Sequence, residues 1–111
     1  WCAPCRKEMP SLEELSNQIG GDTFQVVTIA TMRSSEEAVK KFFNDNNIID
    51  LPKFRDPKGH LARASGVAAL PLTILLDRNG NEISRLIGDA DWSQDETIEF
   101  IKKAIEIDKL N

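Results

Sequence analysis

The chain has 111 residues, 41% of them apolar and 29% charged, and a formal net charge of −4. That length holds one domain with a single core, in the composition range of soluble globular proteins. The mild acidity, without a run of lysine and arginine to neutralise phosphates, argues against nucleic acid as the main partner. No apolar stretch approaches the eighteen or so residues that cross a membrane.

Both cysteines lie in the first five residues, Trp1-Cys2-Ala3-Pro4-Cys5. A Cys-x-x-Cys pair closes a small disulfide ring, and where it opens a helix the first sulfur sits against unpaired N–H groups and the positive end of the helix dipole. Both favour a thiolate. Three other readings compete with redox chemistry. As a staple the ring is inefficient, since closing so short a loop yields only about 2 kcal/mol against ~3 for fifteen residues. As half a zinc site it lacks ligands, because beside the two cysteines there is only one histidine, His60, far along the chain. Cu(I) held between two thiolates is allowed by ligand softness and is compatible with redox use.

From Ala3 to about Ile19 the pattern is helical, with Met9, Leu12, Leu15 and Ile19 near one face and Glu8, Glu13 and Glu14 on others. Pro10 falls inside and is expected to kink the helix, and Gly20-Gly21 ends it. Phe24 to Ala30 is short and β-branched, which predicts a strand. Ser34 with Glu37 reads as a capping box for a helix to about Asn46 that turns Val39, Phe42 and Phe43 inward. Leu51 to Arg55 is brief and extended, and Asp56-Pro57-Lys58-Gly59 is a turn. His60 to Ser65 forms a short helix with His60 facing solvent, and Gly66 stops it.

Leu72 to Leu76 is a nearly unbroken apolar run, as in a central strand covered on both faces. Arg78-Asn79-Gly80-Asn81 is a hairpin turn, and Glu82 to Gly88 returns as the antiparallel partner. Ser93 with Glu96 reads as a second capping box, with Trp92 packed as a staple before it. The helix that follows runs to about Leu110 and buries Ile98, Ile101, Ala104 and Ile105. Alternation closed by a hairpin implies an α/β domain with a mixed sheet and helices on both faces.

The opening motif, with Gly66-Val67-Ala68-Ala69-Leu70-Pro71-Leu72-Thr73 far downstream, resembles the thioredoxin-fold oxidoreductases. The likeness is to their TlpA/ResA/CcmG-like branch. Cys5-Arg6-Lys7-Glu8-Met9-Pro10 matches that branch's C-x-x-E-[FM]-P continuation. The path from Cys5 to Pro71 is longer than in thioredoxin and has room for the branch's central insertion. Asp56-Pro57-Lys58-Gly59 and Leu76-Asp77-Arg78-Asn79-Gly80 follow the branch's phrasing.

The resemblance implies a single thioredoxin-like domain over residues 1–111, N-terminally incomplete. A central strand is expected upstream of Trp1. Without it, Phe24–Ala30 and Leu72–Asp77 would face each other across a gap in the sheet.

It also implies a site. Cys2 is the exposed nucleophile and Cys5 the more buried resolving thiol, an order that helix position gives as well. Trp1, Ala3, Pro4 and Glu8 tune the pair, Glu8 by acting on thiol acidity one turn beyond Cys5. Pro71 is expected cis, with the backbone of Leu70 pairing an incoming extended peptide. Met32-Arg33, at a strand end, is a weaker candidate for touching a partner.

The implied activity is thiol–disulfide exchange that reduces partner proteins, in cytochrome c maturation or oxidase copper-site assembly. It needs no cofactor beyond the Cys2–Cys5 disulfide and no metal. The expected partners are protein thiols and disulfides and an upstream thiol–disulfide electron donor. The expected setting is a monomer in the periplasm or on the outer face of the cytoplasmic membrane, with any anchor outside this sequence. The alternatives are a Cu(I)-carrying or protein-docking module without turnover, and a net disulfide oxidase.

Overall fold

The computed structural model describes residues 2–32 and 34–110. Helix α1 (Ala3–Ile19) has the expected bounds and continues through Pro10 without a break. It stops at Gly20, where a side-chain carbon would collide with the Ser16 carbonyl oxygen. The elements that follow are β1 (Ile29–Thr31), α2 (Glu36–Asp45), β2 (Phe54–Asp56), α3 (His60–Ala64), β3 (Leu72–Leu76), β4 (Glu82–Ile87) and α4 (Asp95–Lys109).

Helix α1 lies between two apolar clusters. On one side Leu12 meets Phe43, Ile48 and Leu51; on the other Leu15 meets Ile98 and Ile101. The 3.6-residue period carries these neighbouring leucines to different partners, α2 and the loop after it for Leu12 and α4 for Leu15. Val26 and Trp92 pack against both clusters and so join them.

Two carboxylates expected on outer faces of α1 are buried. Glu8 is 6% exposed and Glu13 8%. Glu13 accepts from the backbone N–H of Ile49 at 2.6 Å and of Asp50 at 3.1 Å. The irregular segment after α2 has no ladder to satisfy these donors, and the carboxylate takes that place.

The strands form two separate pairs. β1 and β2 are parallel, with Ile29 opposite Phe54, and β3 and β4 are antiparallel, with Leu72 opposite Ile87. No ladder joins β1 to β3 among the described residues. Both parallel and antiparallel pairings are present, but not in one continuous sheet.

Two strand expectations change accordingly. The predicted strand 24–30 is reduced to a ladder at Ile29–Thr31. Residues 24–30 still alternate between half-buried and exposed, as a strand does, while 24–28 have no ladder partner. β3 is half-buried at best, not covered on both faces, and Val27, Ile29, Leu76 and Ile87 are exposed.

Both predicted capping boxes are corrected. Helix α2 is capped by Ser35, whose hydroxyl accepts from Ala38 N–H at 3.1 Å, and not by Ser34. Helix α4 starts after Gln94 with no side-chain cap, because the Ser93 hydroxyl donates to Asp91 instead. The hairpin turn forms as read. Asp77 Oδ1 accepts from both Asn79 and Asn81 N–H at 2.9 Å, and Gly80 supplies the positive φ of 85°.

Candidate active site

Cys2 is the N-cap of α1 and lies in extended conformation, with Ala3 and Pro4 opening the first turn. Proline is favoured there because its missing N–H has no intrahelical role and its φ already suits a helix. The Cys2 carbonyl accepts from Arg6 N–H at 3.0 Å. The Cys2 sulfur accepts from Cys5 N–H at 3.3 Å, as a serine or aspartate cap would. No acidic residue occupies the first turn, so nothing there competes with the sulfur for the positive end of the dipole.

Cys2 and Cys5 form a disulfide, with sulfurs 1.98 Å and Cα atoms 5.2 Å apart. Both residues are half-buried, while Ala3 and Pro4 between them are exposed. Burial therefore does not separate nucleophile from resolving thiol in this oxidised state. Among the described residues, the Cys2 sulfur is the one of the two that accepts a helix N–H.

Glu8 stands in the second turn of α1, one turn beyond Cys5, and is buried. Its Oε2 accepts from Ala90 N–H and from Trp92 Nε1–H, each at 3.1 Å. The Ser11 hydroxyl donates to the Glu8 carbonyl at 2.7 Å and accepts from Trp92 N–H at 3.0 Å. Residues 8 and 11 of α1 thus clamp the segment 90–92. Trp92 packs as expected, and its ring nitrogen also serves Glu8.

Burial pushes the Glu8 carboxyl above its ordinary value. The Trp92 and Ala90 bonds pull it back, and Asp89 nearby pushes it up again. The folded chain therefore holds this proton more tightly than the unfolded chain. Its contribution to stability is intact below the unfolded carboxyl range and is lost as pH rises through the raised folded value. Glu8→Gln is expected to flatten that fall, read as urea-unfolding free energies between about pH 4 and 8. An unchanged slope assigns the titration to another group.

Downstream, the Leu70–Pro71 peptide bond is cis and Pro71 is buried. Its carbonyl accepts from Gly88 N–H at 2.9 Å, which ties it to the end of the β3–β4 ladder. No backbone hydrogen bond engages Leu70 among the described residues. His60 is exposed at the start of α3. Met32 has φ 55°, and its N–H donates to the Asp56 carbonyl at 2.7 Å. Trp1 and Arg33 lie outside the described residues. Among the described residues no three His, Cys, Asp or Glu side chains group as metal ligands would, and no helix is long and apolar enough to cross a membrane.

Known proteins resemble the chain along most of its length. A family model described as thioredoxin-like matches residues 1–82. The thiol-disulfide oxidoreductase ResA of Bacillus thuringiensis subsp. konkukian is 30% identical over 103 residues, which is 93% of this chain and 57% of that protein. The sporulation thiol-disulfide oxidoreductase A of Bacillus subtilis is 28% identical over 90 residues, 79% of this chain and 54% of that protein. The chain thus spans little more than half the length of these relatives. Among solved structures, StoA from Bacillus subtilis superposes with a TM-score of 0.73 at 26% identity, over 93% of this chain and 73% of that one. A putative thiol:disulfide interchange protein DsbE from Chlorobium tepidum gives 0.71 at 25% identity, over 97% and 72%.

Proposed function

This chain belongs to the thioredoxin-like family, and from that premise we propose that it is a thiol–disulfide oxidoreductase that reduces disulfides of partner proteins through Cys2 and Cys5. The observation that carries the reading is the Cys2 sulfur, which caps α1, accepts the Cys5 N–H and is bonded to the Cys5 sulfur.

In the reduced chain the Cys2 thiolate attacks one sulfur of a partner disulfide. That bond breaks, its other sulfur leaves as a thiolate, and a mixed disulfide joins Cys2 to the partner. The Cys5 thiolate then attacks the Cys2 sulfur and releases the second partner sulfur. Two electrons have passed to the partner, and the product on this chain is the Cys2–Cys5 disulfide of the structure. A thiol–disulfide electron donor returns the pair to the dithiol.

Ala3 and Pro4 shape the ring. Glu8 takes the proton that Cys5 gives up. The backbone of Leu70 beside cis-Pro71, which no backbone hydrogen bond engages among the described residues, offers pairing to an extended partner segment, as a strand adds to an edge. By family analogy the protein works in the periplasm or on the outer face of the cytoplasmic membrane, on proteins of cytochrome c maturation or oxidase copper-site assembly.

The reading is tested by reduction of insulin disulfides by the wild-type chain and by Cys2→Ser, with dithiothreitol as electron source. Wild type is expected to accelerate precipitation of the reduced insulin, with Cys2→Ser at background. A wild-type chain that binds Cu(I) through both thiols and leaves insulin intact would replace this reading with a metal-carrying one.

A further inference from the structure

Trp92 is used only partly by its packing. Its ring is wedged between the two core clusters, touching residues of both. Its backbone N–H is taken by Ser11, and its ring N–H points back to α1 and donates to Glu8. An indole held at so many points is a donor of fixed direction. Both donors on the Glu8 carboxyl, Trp92 Nε1–H and Ala90 N–H, converge on Oε2. Oε1 receives none among the described residues. The segment that supplies both donors is more than eighty residues away in sequence, so it has to be docked on α1 for the arrangement to exist.

We propose that Trp92 is a positioning residue for disulfide exchange: with the Ala90 amide it holds Glu8 Oε2, and so leaves Oε1 as the atom that trades a proton with the cysteine pair. This rests on the exchange reading of Cys2 and Cys5. As Cys5 attacks the mixed disulfide, its thiol proton passes to Glu8 Oε1. The protonated carboxyl then gives that proton to the departing partner thiolate, which leaves as a thiol, and the carboxylate is restored.

A carboxylate with one oxygen held by two donors stays ionised more readily than burial alone allows. The other charged group beside Glu8 is Asp89, which disfavours the carboxylate and is itself 4.0 Å from the exposed Lys7 ammonium. The Asp91 carboxylate accepts from the Ser93 N–H and hydroxyl. Trp92 and Ala90 therefore oppose Asp89.

The test compares wild type, Trp92→Phe, Glu8→Gln and the double variant in the reduced state. The rates of Cys2 and Cys5 alkylation are followed across pH, and the Glu8 side-chain carboxyl is titrated by carbon NMR. Phenylalanine keeps an aromatic ring but removes the N–H donor together with part of the ring volume, which is why the pH midpoints are read beside the melting temperature. Losing a donor to an ionised group is expected to raise the Glu8 midpoint by about one pH unit or more. The Glu8-dependent step in the cysteine profile should move with it. In the Glu8→Gln background, Trp92→Phe is expected to leave the profile where Glu8→Gln alone puts it.

A lowered melting temperature with both midpoints unmoved overturns the proposal and leaves Trp92 as packing. A profile that shifts equally without Glu8 overturns it as well. If Trp92→Phe does not fold, benzothienylalanine at position 92 gives the same comparison, since sulfur replaces the indole N–H at nearly the same shape. Alkylation needs no partner disulfide, so failure here is distinct from failure to reduce insulin.

Discussion

The Cys2→Ser and Cys5→Ser variants are expected to fail in different ways. Cys2→Ser loses the sulfur that caps α1, and insulin reduction falls to the uncatalysed background. A hydroxyl can accept the same N–H at the cap, so the helix persists, but it does not attack a disulfide at neutral pH. Cys5→Ser keeps the capping sulfur and loses the one that resolves, so the partner stays attached to Cys2. On non-reducing gels this variant is expected to carry a shifted band that dithiothreitol removes, and Cys2→Ser none. The asymmetry follows from position. Cys2 Sγ receives a backbone N–H at 3.3 Å at the positive end of a seventeen-residue helix, whereas Cys5 lies inside its first turn. Equal trapping by both variants would mean that the two sulfurs are interchangeable, and the cap would then not determine which one attacks.

What the sequence made legible were features whose signal lies within a few residues. The Cys-x-x-Cys at a helix start, the bounds of α1 and the Asp77–Asn81 turn each rest on contacts between near neighbours in the chain. The cap of α2 was legible in kind but not in register, and the one read for α4 does not form. Ser34 and Ser35 have the same chemistry, and the choice of Ser35 depends on where α2 docks. At Ser93 the hydroxyl had a competing acceptor two residues back, Asp91, which a capping pattern does not weigh.

The burial of Glu8 and Glu13 was not legible, because periodicity places a glutamate on a face without saying what packs over it. Their partners are separated from them by 82 and 84 residues for Glu8, and by 36 and 37 for Glu13. The signal for Trp92 was present as an aromatic before a helix, and only its ring nitrogen went unread. Phe24–Ala30 and Leu72–Leu76 have strand composition, but a ladder needs a partner, and composition does not supply one.

Leu15→Ala is expected to produce the largest loss of stability of any single core truncation on α1. Leu15 is 2% exposed and packs with Ile98 and Ile101, themselves 4% and 5% exposed. Leu15 is held by α1, and Ile98 and Ile101 by α4, so the space left by removing the isobutyl group cannot be closed by a side-chain turn. The cost is then near the upper part of the usual range for Leu→Ala, about 2–5 kcal/mol, set against a total of roughly 5–15 for a domain of this kind. Leu110→Ala, at a position 85% exposed, is the control and should stay within about 0.5 kcal/mol of wild type. Urea unfolding measures both. The variant also separates scaffold from chemistry. Leu15 lies more than three turns along α1 from the Cys2 cap, and the N–H that meets the Cys2 sulfur belongs to Cys5. The alkylation rate of Cys2, corrected for the fraction folded, should therefore equal that of wild type. A corrected rate that falls with stability would mean that the docking of α1 on α4, and not its first turn alone, sets the reactivity of the sulfur.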